Sequence, residues 1–375
     1  MESSFQAWRK RAFAGAWILT LLLAGTIPSR AVAQTEKVQL PPGFRFEVFA
    51  SGLGMVRFMA FDDQGHLYVS APRSGNVIVL PDRDGDGRAD EAVPFAEGLD
   101  RPHGIAFRDG WAYVAESGRV LRFKDRDGDL RADVQEVVVP DLPRGGGHWT
   151  RTLGFGADGK LYVSAGSSCN VCVEDDPRRA AILQFNPDGT EGRIYAQGIR
   201  NAVGFVFHPQ TKEIWATENG RDWLGDDAPP DEVLIVRDGG HYGWPYCHGQ
   251  KVPDPEFSRP GFCKETIAPT LGLQAHSAPL GLTFYTGGQF PEEYRGDLFI
   301  AYHGSWNRSV PTGYKVVRVR MKEGEPLSVE DFLTGFLVGR HVWGRPVDIV
   351  VTKDGSLLVS DDFSGRIYRV FYDGT

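Results

Sequence analysis

The chain has 375 residues with 49 acidic and 41 basic side chains, and its formal net charge is −8 at pH 7. Residues 1–33 carry four basic side chains and one acidic one, so residues 34–375 have a net charge of −11. Such an acidic surface repels phosphate backbones, and no nucleic-acid partner is expected. The 46 glycines and 24 prolines are typical of short strands joined by many turns.

The first segment has the three parts of a secretory signal peptide. A basic run at residues 9–11 precedes an apolar run at 12–25, and residues 31–33 (Ala-Val-Ala) provide a cleavage site. We therefore predict a signal peptide over 1–33 and a periplasmic or secreted chain over 34–375. The apolar run is shorter than the ~20 residues of a membrane span, so we expect no stable span after cleavage. An uncleaved anchor is the alternative.

The first repeated feature along the chain is one short apolar strand. Its six copies lie at residues 67–70, 112–115, 161–164, 214–217, 298–301 and 357–360. Most copies follow another strand and a tight turn, which is Asp-Gly in three of the six, and each precedes a third strand with alternating polarity. This repeat predicts an all-β fold, a six-bladed β-propeller of four-stranded antiparallel blades, as one domain over 34–375.

Two segments lie outside the regular repeat. The strand at residues 44–49 is expected to pair with the last blade and so close the ring. The longest excursion, residues 238–280, lies between blades four and five. Long loops on a rigid scaffold commonly carry function.

Two acidic segments, residues 82–90 and 125–133, share the pattern Asp-Arg-Asp-Gly-Asp. Their spacing is similar to calcium loops, but Val93 replaces the final glutamate of an EF-hand in the first copy and Leu130 replaces the turn glycine in the second. Two interpretations stay open: the segments bind structural calcium, or they are acidic hairpin loops without an ion.

Four cysteines follow residue 33, and an exported chain favours disulfides. Three pairings exist, of which the simplest is local, Cys169–Cys172 with Cys247–Cys263. A redox or metal role for the Cys-x-x-Cys is the alternative, but no second such motif accompanies it. Val173 stands where c-type haem attachment needs histidine, so covalent haem is excluded.

Basic and imidazole side chains recur in the segments that lead into the innermost strands. They are Arg57, His103, His148, Arg200 with Asn201, His276 and Arg345. One such residue would ordinarily cap carbonyls or face solvent. Six in register predict a site at the channel mouth for a ligand that carries several carboxylates.

Three motifs resemble the soluble pyrroloquinoline quinone (PQQ) glucose dehydrogenases and the related sorbosone and pyranose dehydrogenases. They are GHWTRTLGF with DGKLYV (147–155, 158–163), GIRNAVG (198–204), and Asp231-Glu232 followed by GGHYGWP (239–245). The resemblance spans residues 34–375, and GSWNR (304–308) and SCNVC (168–172) resemble the sorbosone and pyranose branch. It implies a PQQ-dependent sugar dehydrogenase with PQQ and calcium as cofactors, a sugar substrate and an external electron acceptor, either a cytochrome or a quinone.

The resemblance also implies roles for single residues. His148 matches the catalytic base and Arg200 a second catalytic residue. In the implied reaction a neutral imidazole takes the proton of an alcohol, PQQ takes the hydride, and a guanidinium stabilises the developing oxyanion. The cofactor-binding set is Arg57, His103, Arg200, Asn201, His303, Trp306, Arg308 and Arg345. Calcium falls on the backbone carbonyls of Gly220 and Arg221.

Three positions depart from the family pattern. Ser167 stands where glucose dehydrogenases have an aspartate that orients the base, and Val347 replaces a second arginine. His303 falls at or beside the position of a PQQ-binding lysine, so His303 or Arg308 is the candidate replacement.

Two other functions are open. A calcium-dependent propeller lactonase needs a central cluster of Glu, Asp and Asn, whereas this chain brings mainly His and Arg to the channel mouth. A non-catalytic binding propeller is the second alternative.

Overall fold

The computed structural model describes residues 37–375, and the predicted signal peptide lies outside them. The strands in chain order begin with β1 (Phe44–Ala50). Blade one is β2 (Met59–Phe61), β3 (Leu67–Ala71), β4 (Asn76–Leu80) and β5 (Val93–Ala96); blade two is β6 (Ile105–Arg108), β7 (Trp111–Ala115), β8 (Val120–Lys124) and β9 (Val134–Val139); blade three is β10 (Leu153–Phe155), β11 (Leu161–Ala165), β12 (Ala181–Phe185) and β13 (Arg193–Gln197).

Blade four contains β14 (Phe205–Phe207), β15 (Ile214–Glu218) and β16 (Asp231–Val236); a hairpin of β17 (Cys247–His248) and β18 (Val252–Pro253) and the helix α1 (Phe262–Glu265) precede its fourth strand, β19 (Leu271–Leu273). Blade five is β20 (Pro279–Phe284), a 3-10 turn (Glu292–Tyr294), β21 (Leu298–Tyr302), β22 (Lys315–Lys322) and β23 (Glu325–Leu333). The pair β24 (Leu337–Val338) and β25 (His341–Val342) precedes blade six, which is β26 (Pro346–Val351), β27 (Leu357–Asp361) and β28 (Arg366–Tyr372).

These six four-stranded antiparallel sheets confirm the predicted propeller. As expected, β1 supplies the outer strand of blade six, with Phe44 opposite Tyr372 and Val48 opposite Tyr368. The N-terminal strand and the C-terminal strands thus share one sheet. This closure joins the two ends of the described chain and covers an otherwise open strand edge.

Aromatic contacts repeat at successive blade junctions. The second-strand aromatic of one blade meets the innermost-strand phenylalanine of the next in an edge-on contact, with ring centroids 4.7 to 5.5 Å apart. The pairs are Tyr68–Phe107, Tyr113–Phe155, Tyr162–Phe207 and Trp215–Phe284. Each such pair contributes about 0.5–1.5 kcal/mol beyond the area that it buries. The repeat therefore fixes neighbouring blades against each other and holds their loops in place.

Each disulfide joins two cysteines that follow one another in the order of the four, which confirms the local pairing. Cys169 and Cys172 lie in the loop after β11, with their Cα atoms 6.2 Å apart. Cys247 and Cys263 connect the β17–β18 hairpin to α1, with Cα atoms 5.8 Å apart. The first disulfide therefore restrains the β11–β12 loop, and the second restrains the long excursion between blades four and five.

The two acidic segments lie between the third and fourth strands of blades one and two, as predicted. In the first, the carboxylates of Asp82, Asp84 and Asp86 lie within 4.8 Å of one another. Asp82 accepts the N–H groups of Gly85 and Gly87, so the loop is shaped by its own backbone. None of the helices in residues 37–375 has the length and apolar character needed to cross a membrane.

Candidate active site

Three predicted cofactor-binding residues from three blades meet at one carboxylate. Arg57 Nη1 lies 2.7 Å, His303 Nε2 3.0 Å and Arg345 Nε 2.6 Å from Asp362. We call these four residues the Asp362 group. Sequence reasoning missed Asp362, although a signal existed. His303 directly follows the second strand of blade five and Asp362 that of blade six, so the two hold equivalent places in the repeat.

The carboxylate of Asp362 cancels part of the positive charge around it. Burial alone raises the pKa of Asp362, but His303, Arg57 and Arg345 lower it below its ordinary value overall. Burial lowers the pKa of His303 to about 4 against the opposing effect of Asp362, so this imidazole is neutral at pH 7. Two guanidinium charges therefore face one carboxylate charge, and the basic character predicted from sequence is partly cancelled.

The side chain of His148 is held through one ring nitrogen. Nδ1 lies 3.0 Å from the carbonyl oxygen of Ser167 and 2.9 Å from its hydroxyl oxygen. The Ser167 hydroxyl donates to the carbonyl of Cys169 at 2.6 Å, so both Ser167 oxygens act as acceptors toward the ring. This network assigns the proton to Nδ1 and leaves the lone pair on Nε2. Burial, assisted by Arg200, lowers the pKa of His148 to about 3.

Arg200 is buried and bound on three sides. Its Nε and Nη2 donate to the backbone oxygen and side-chain Oδ1 of Asn170, both at 2.9 Å. Nη1 donates to the carbonyl of Asn219 at 3.0 Å, and Nη2 also pairs with Asp222 at 3.1 Å. A guanidinium has five N–H groups, so one N–H on Nη1 has no acceptor in the described part of the chain and can donate to a ligand.

Asn201 and His148 approach each other across a glycine. A Cβ atom on Gly166 would lie 2.6 Å from both Asn201 Oδ1 and His148 Cβ, which is too close for any side chain. The backbone N–H groups of Arg200 and Asn201 donate to Glu218 at 2.7 and 3.2 Å. Glu218 and Gly166 therefore bring the base and the Arg200-Asn201 pair together. We call His148, Ser167, Asn170, Arg200 and Asp222 the His148 group.

Trp149 connects the two groups. Its ring lies 5.7 Å from the guanidinium carbon of Arg57 and 5.6 Å from the ring of His103. His103 is fully buried, and burial with the nearby Arg57 charge lowers its pKa well below the ordinary value. Since Trp149 follows His148 directly in sequence, the same segment borders both groups.

Three of the predicted residues have a buried polar atom without a hydrogen-bond partner. They are Arg57 Nε, His103 Nε2 and Asn201 Oδ1, among eight such atoms in residues 37–375. A buried polar group without a partner costs about 1–3 kcal/mol. Arg57 Nε is a donor that a carboxylate or carbonyl of a ligand would satisfy, whereas Asn201 Oδ1 is an acceptor that needs an N–H or O–H group. The residues present therefore fit a polar cofactor that carries acceptors and at least one donor.

The predicted calcium ligands lie beside the His148 group. The side chain of Arg221 points to the excursion, where it pairs with Asp254 at 2.8 Å and Glu256 at 2.6 Å. The N–H of Gly220 donates to Asp231 at 2.9 Å. Neither the Gly220 nor the Arg221 carbonyl accepts a hydrogen bond from the described residues. Carbonyl oxygens are suitable ligands for calcium, so both are available for that role.

Arg308 and His276 lie at the rim and hold one loop. Arg308 donates to the carbonyls of Asp226 and Ala275 and pairs with Asp227 at 3.2 Å. His276 Nε2 lies 2.9 Å from the carbonyl of Gly225. The structure therefore brings neither side chain into the Asp362 group.

Trp306 lies on the open surface. It is 69% exposed and meets Trp223, 68% exposed, with ring centroids 5.3 Å apart. Its neighbour Asn307 donates to Asp222 of the His148 group at 2.5 Å. The tryptophan pair therefore borders the site. Sequence reasoning missed Trp223, Asp222 and Asn170.

Comparison with known proteins identifies the family of this chain. A family model described as TrAA12-like matches residues 38–373. An uncharacterized protein of Borreliella burgdorferi is 33% identical over 373 residues, covering 95% of this chain and 96% of that protein. The PQQ-dependent pyranose dehydrogenase of Coprinopsis cinerea is 27% identical over 400 residues, covering 88% of this chain but 54% of that protein. The chain thus spans about half the length of that relative.

Two solved structures have the same fold. The calcium structure of the Trichoderma reesei carbohydrate-active enzyme of family AA12 is 23% identical, with 90% of this chain and 97% of that chain covered and a TM-score of 0.78. The holo form of the pyranose dehydrogenase PQQ domain from Coprinopsis cinerea is 22% identical, with 89% and 97% covered and a TM-score of 0.76. With the family match over residues 38–373, the chain belongs to the TrAA12-like family.

Proposed function

We propose that this protein is a PQQ-dependent dehydrogenase that oxidises a sugar, with His148 as general base. One observation carries the proposal: Ser167 holds the Nδ1 of His148, while Nε2 has no hydrogen-bond partner among the described residues and the charge of Arg200 acts on the ring. A neutral, oriented imidazole next to a guanidinium is what proton removal from an alcohol needs. Membership of a family with PQQ-dependent pyranose dehydrogenases among its relatives supports the same function.

The cofactor would lie on the face between the two groups. Arg57, His103, Asn201 and Arg345 border it, and three of these have a buried polar atom that lacks a partner. The carbonyls of Gly220 and Arg221 would hold calcium. PQQ, when bound, supplies an electrophilic quinone that accepts a hydride.

The residues of this chain handle the proton and the developing charge. The lowered pKa keeps His148 unprotonated at pH 7, so Nε2 can take the hydroxyl proton of the substrate. The remaining Nη1 hydrogen of Arg200 can donate to an oxygen that gains negative charge. Ser167 supplies the acceptor for Nδ1, in place of the aspartate found in glucose dehydrogenases, and so keeps the base in one tautomer.

The substrate class and the partners follow from the same proposal. The substrate is a pyranose or a sorbosone-like sugar, and an external cytochrome or quinone takes the electrons. Two disulfides support export to the periplasm or the medium.

A titration followed by an assay tests this function. The metal-free apo-protein is titrated with PQQ in the presence and absence of calcium chloride, with binding followed by fluorescence. Reduction of an electron-accepting dye is then measured with a panel of aldoses and pyranoses, and the hydrolysis of a panel of lactones is measured separately. Sugar-dependent dye reduction that requires PQQ is the expected result. Lactone hydrolysis without PQQ would instead identify a hydrolase, and PQQ binding without dye reduction would identify a binding propeller.

A further inference from the structure

The loop between β11 and β12 contacts both halves of the proposed catalytic pair. We call residues 167–172 the disulfide loop, because the bond between Cys169 and Cys172 closes it. It is half-buried apart from Ser167, which is fully buried.

On one side, the disulfide loop fixes the base. The carbonyl and the hydroxyl of Ser167 both accept from His148 Nδ1, and the hydroxyl is itself oriented by its bond to the Cys169 carbonyl. The Ser168 carbonyl accepts the N–H of Gly147 at 2.9 Å, which anchors the segment that carries His148. The orientation of the imidazole thus depends on where residues 167–169 lie.

On the other side, the disulfide loop fixes the guanidinium. Asn170 accepts two of the hydrogen bonds of Arg200, and the N–H of Ser167 donates to the Arg200 carbonyl at 2.7 Å. Asn170 also accepts the N–H of Asp222 at 2.8 Å and donates to its carbonyl at 3.2 Å. Asn170 therefore holds Arg200 and its carboxylate partner in one arrangement.

We propose that the disulfide loop is a positioning element, in which the Cys169–Cys172 bond and Asn170 set the distance and orientation between His148 and Arg200. Ser167, which contacts the base, lies just before Cys169, and the Cys169–Cys172 bond closes the chain around Asn170, which contacts Arg200. The bond therefore limits the conformations of the segment that carries both contacts. Small displacements of such a pair reduce catalysis strongly, because the reacting groups must be aligned. This proposal rests on the proposed function.

The first test compares the two disulfides. The variant Cys169→Ala/Cys172→Ala is expected to lose about tenfold or more in kcat and to bind PQQ about tenfold more weakly. The comparison variant, Cys247→Ala/Cys263→Ala, opens a longer loop and should lower the melting temperature more. Because that loop holds Asp254 and Glu256, the partners of Arg221, the orientation and titration of His148, rather than kcat, are expected to stay unchanged in it. The opposite pattern would contradict the proposal.

Two point variants test the loop without touching the cysteines. Asn170→Ala removes the Oδ1 acceptor of Arg200 and Asp222 and should weaken PQQ binding, whereas Asn170→Asp keeps that oxygen and should restore most of the affinity. If the double cysteine variant does not fold, the two Asn170 variants test whether the disulfide loop positions His148 and Arg200. Equal PQQ affinity and kcat in Asn170→Ala and the unmodified chain would overturn the proposal.

A pH profile separates positioning from general destabilisation. Burial and the charges of Arg200, Arg151 and Arg179, which face His148, lower its pKa. A loosened loop admits water and lets Arg200 move away, so the pKa of His148 should rise and the acid limb of kcat/KM should shift to higher pH. A merely destabilised variant keeps the original limb.

NMR of histidine-labelled protein gives the same readout without cofactor, by titrating the His148 ring directly. It therefore tests the disulfide loop independently of the function. Absence of PQQ binding in the unmodified chain would refute the proposed function alone. An unchanged His148 titration in the loop variants would refute the loop proposal alone.

Discussion

The His148 group and the Asp362 group lie on the same face of the propeller and use charge in opposite ways. In the Asp362 group, two arginines and a histidine from three blades converge on one carboxylate. In the His148 group, one ring nitrogen of His148 and one N–H of Arg200 have no hydrogen-bond partner within residues 37–375. The Asp362 group cancels part of its positive charge internally, whereas the His148 group directs its remaining polar atoms to a ligand.

This difference shows that the position of a basic residue does not by itself determine whether the residue can bind a ligand. The sequence pattern places Arg57, His103, His148, Arg200 and Arg345 in equivalent segments of the repeat, and most of them do reach one face. Whether the charge of a side chain is available to a ligand depends on the partner that the side chain has within the protein. We therefore expect the His148 group to control turnover and the Asp362 group to control the stability of the site.

The largest effect is expected for His148→Ala. The variant lacks the base, so kcat should fall by about 10²–10⁴-fold, while the PQQ dissociation constant stays within about threefold because the charged residues remain. Stopped-flow dye reduction and a PQQ titration measure the two quantities. His66→Ala is the matched control, since His66 contacts Asp62 in a turn of blade one. Undiminished kcat in His148→Ala would remove this residue from the mechanism.

The second prediction concerns Asp362→Asn, which leaves Arg57 and Arg345 without their buried counter-ion. The free energy of unfolding at pH 7 should fall by about 3 kcal/mol, because breaking a buried ion pair leaves charge uncompensated. Urea denaturation with the full chain measures this loss.

The pH dependence of that loss follows from the lowered pKa of Asp362. Because its folded-state pKa lies below the ordinary 3.8, its stabilising contribution is present above that value and is lost as the pH falls through the folded pKa. The stability difference between the unmodified chain and Asp362→Asn should therefore shrink on acidification. A difference that grows toward low pH would show that the ion pairs are not its cause.

The propeller could be predicted because it repeats. Six copies of one strand fix the number of blades, and the same alternation predicts which strands pair. Even the closure by β1 follows from a strand left over at the start of a repeat. One boundary differs from the prediction. The segment Leu271–Leu273, which lies in the predicted excursion of residues 238–280, is the fourth strand of blade four.

The site could be predicted only in part. His148, Arg200 and Asn201 stand in motifs and equivalent segments, so their convergence was visible. Asp362, Asp222 and Asn170 follow ends of strands or lie in a loop of their own, and their partners are distant in sequence, such as Arg57 and Asp362, 305 residues apart. Pairings of that kind depend on the closed ring and cannot be obtained from local pattern.

A smaller effect is expected at the rim of the His148 group. Trp306→Ala and Trp223→Ala each remove one exposed ring of the pair beside Asp222. If a sugar stacks on this pair, KM should rise by about tenfold with kcat nearly unchanged, since one apolar contact of this size discriminates to that extent. Leu327→Ala, exposed on the outer strand of blade five, is the control. A fall in kcat at constant KM would instead assign the tryptophans to the cofactor.

The smallest effect is expected for Arg308→Ala. Its guanidinium is committed to the carbonyls of Asp226 and Ala275 and to Asp227, so its charge should add little to PQQ binding. We expect the dissociation constant to change by less than about threefold and the melting temperature to fall slightly, as the loop at residues 225–228 loses one anchor. Arg345→Ala, measured beside it by the same fluorescence titration, should weaken binding more, because Arg345 is 30% exposed and contacts a carboxylate that it shares with two other residues. Equal losses in the two variants would place Arg308 in the cofactor site and would mean that rim charges count as much as those of the Asp362 group.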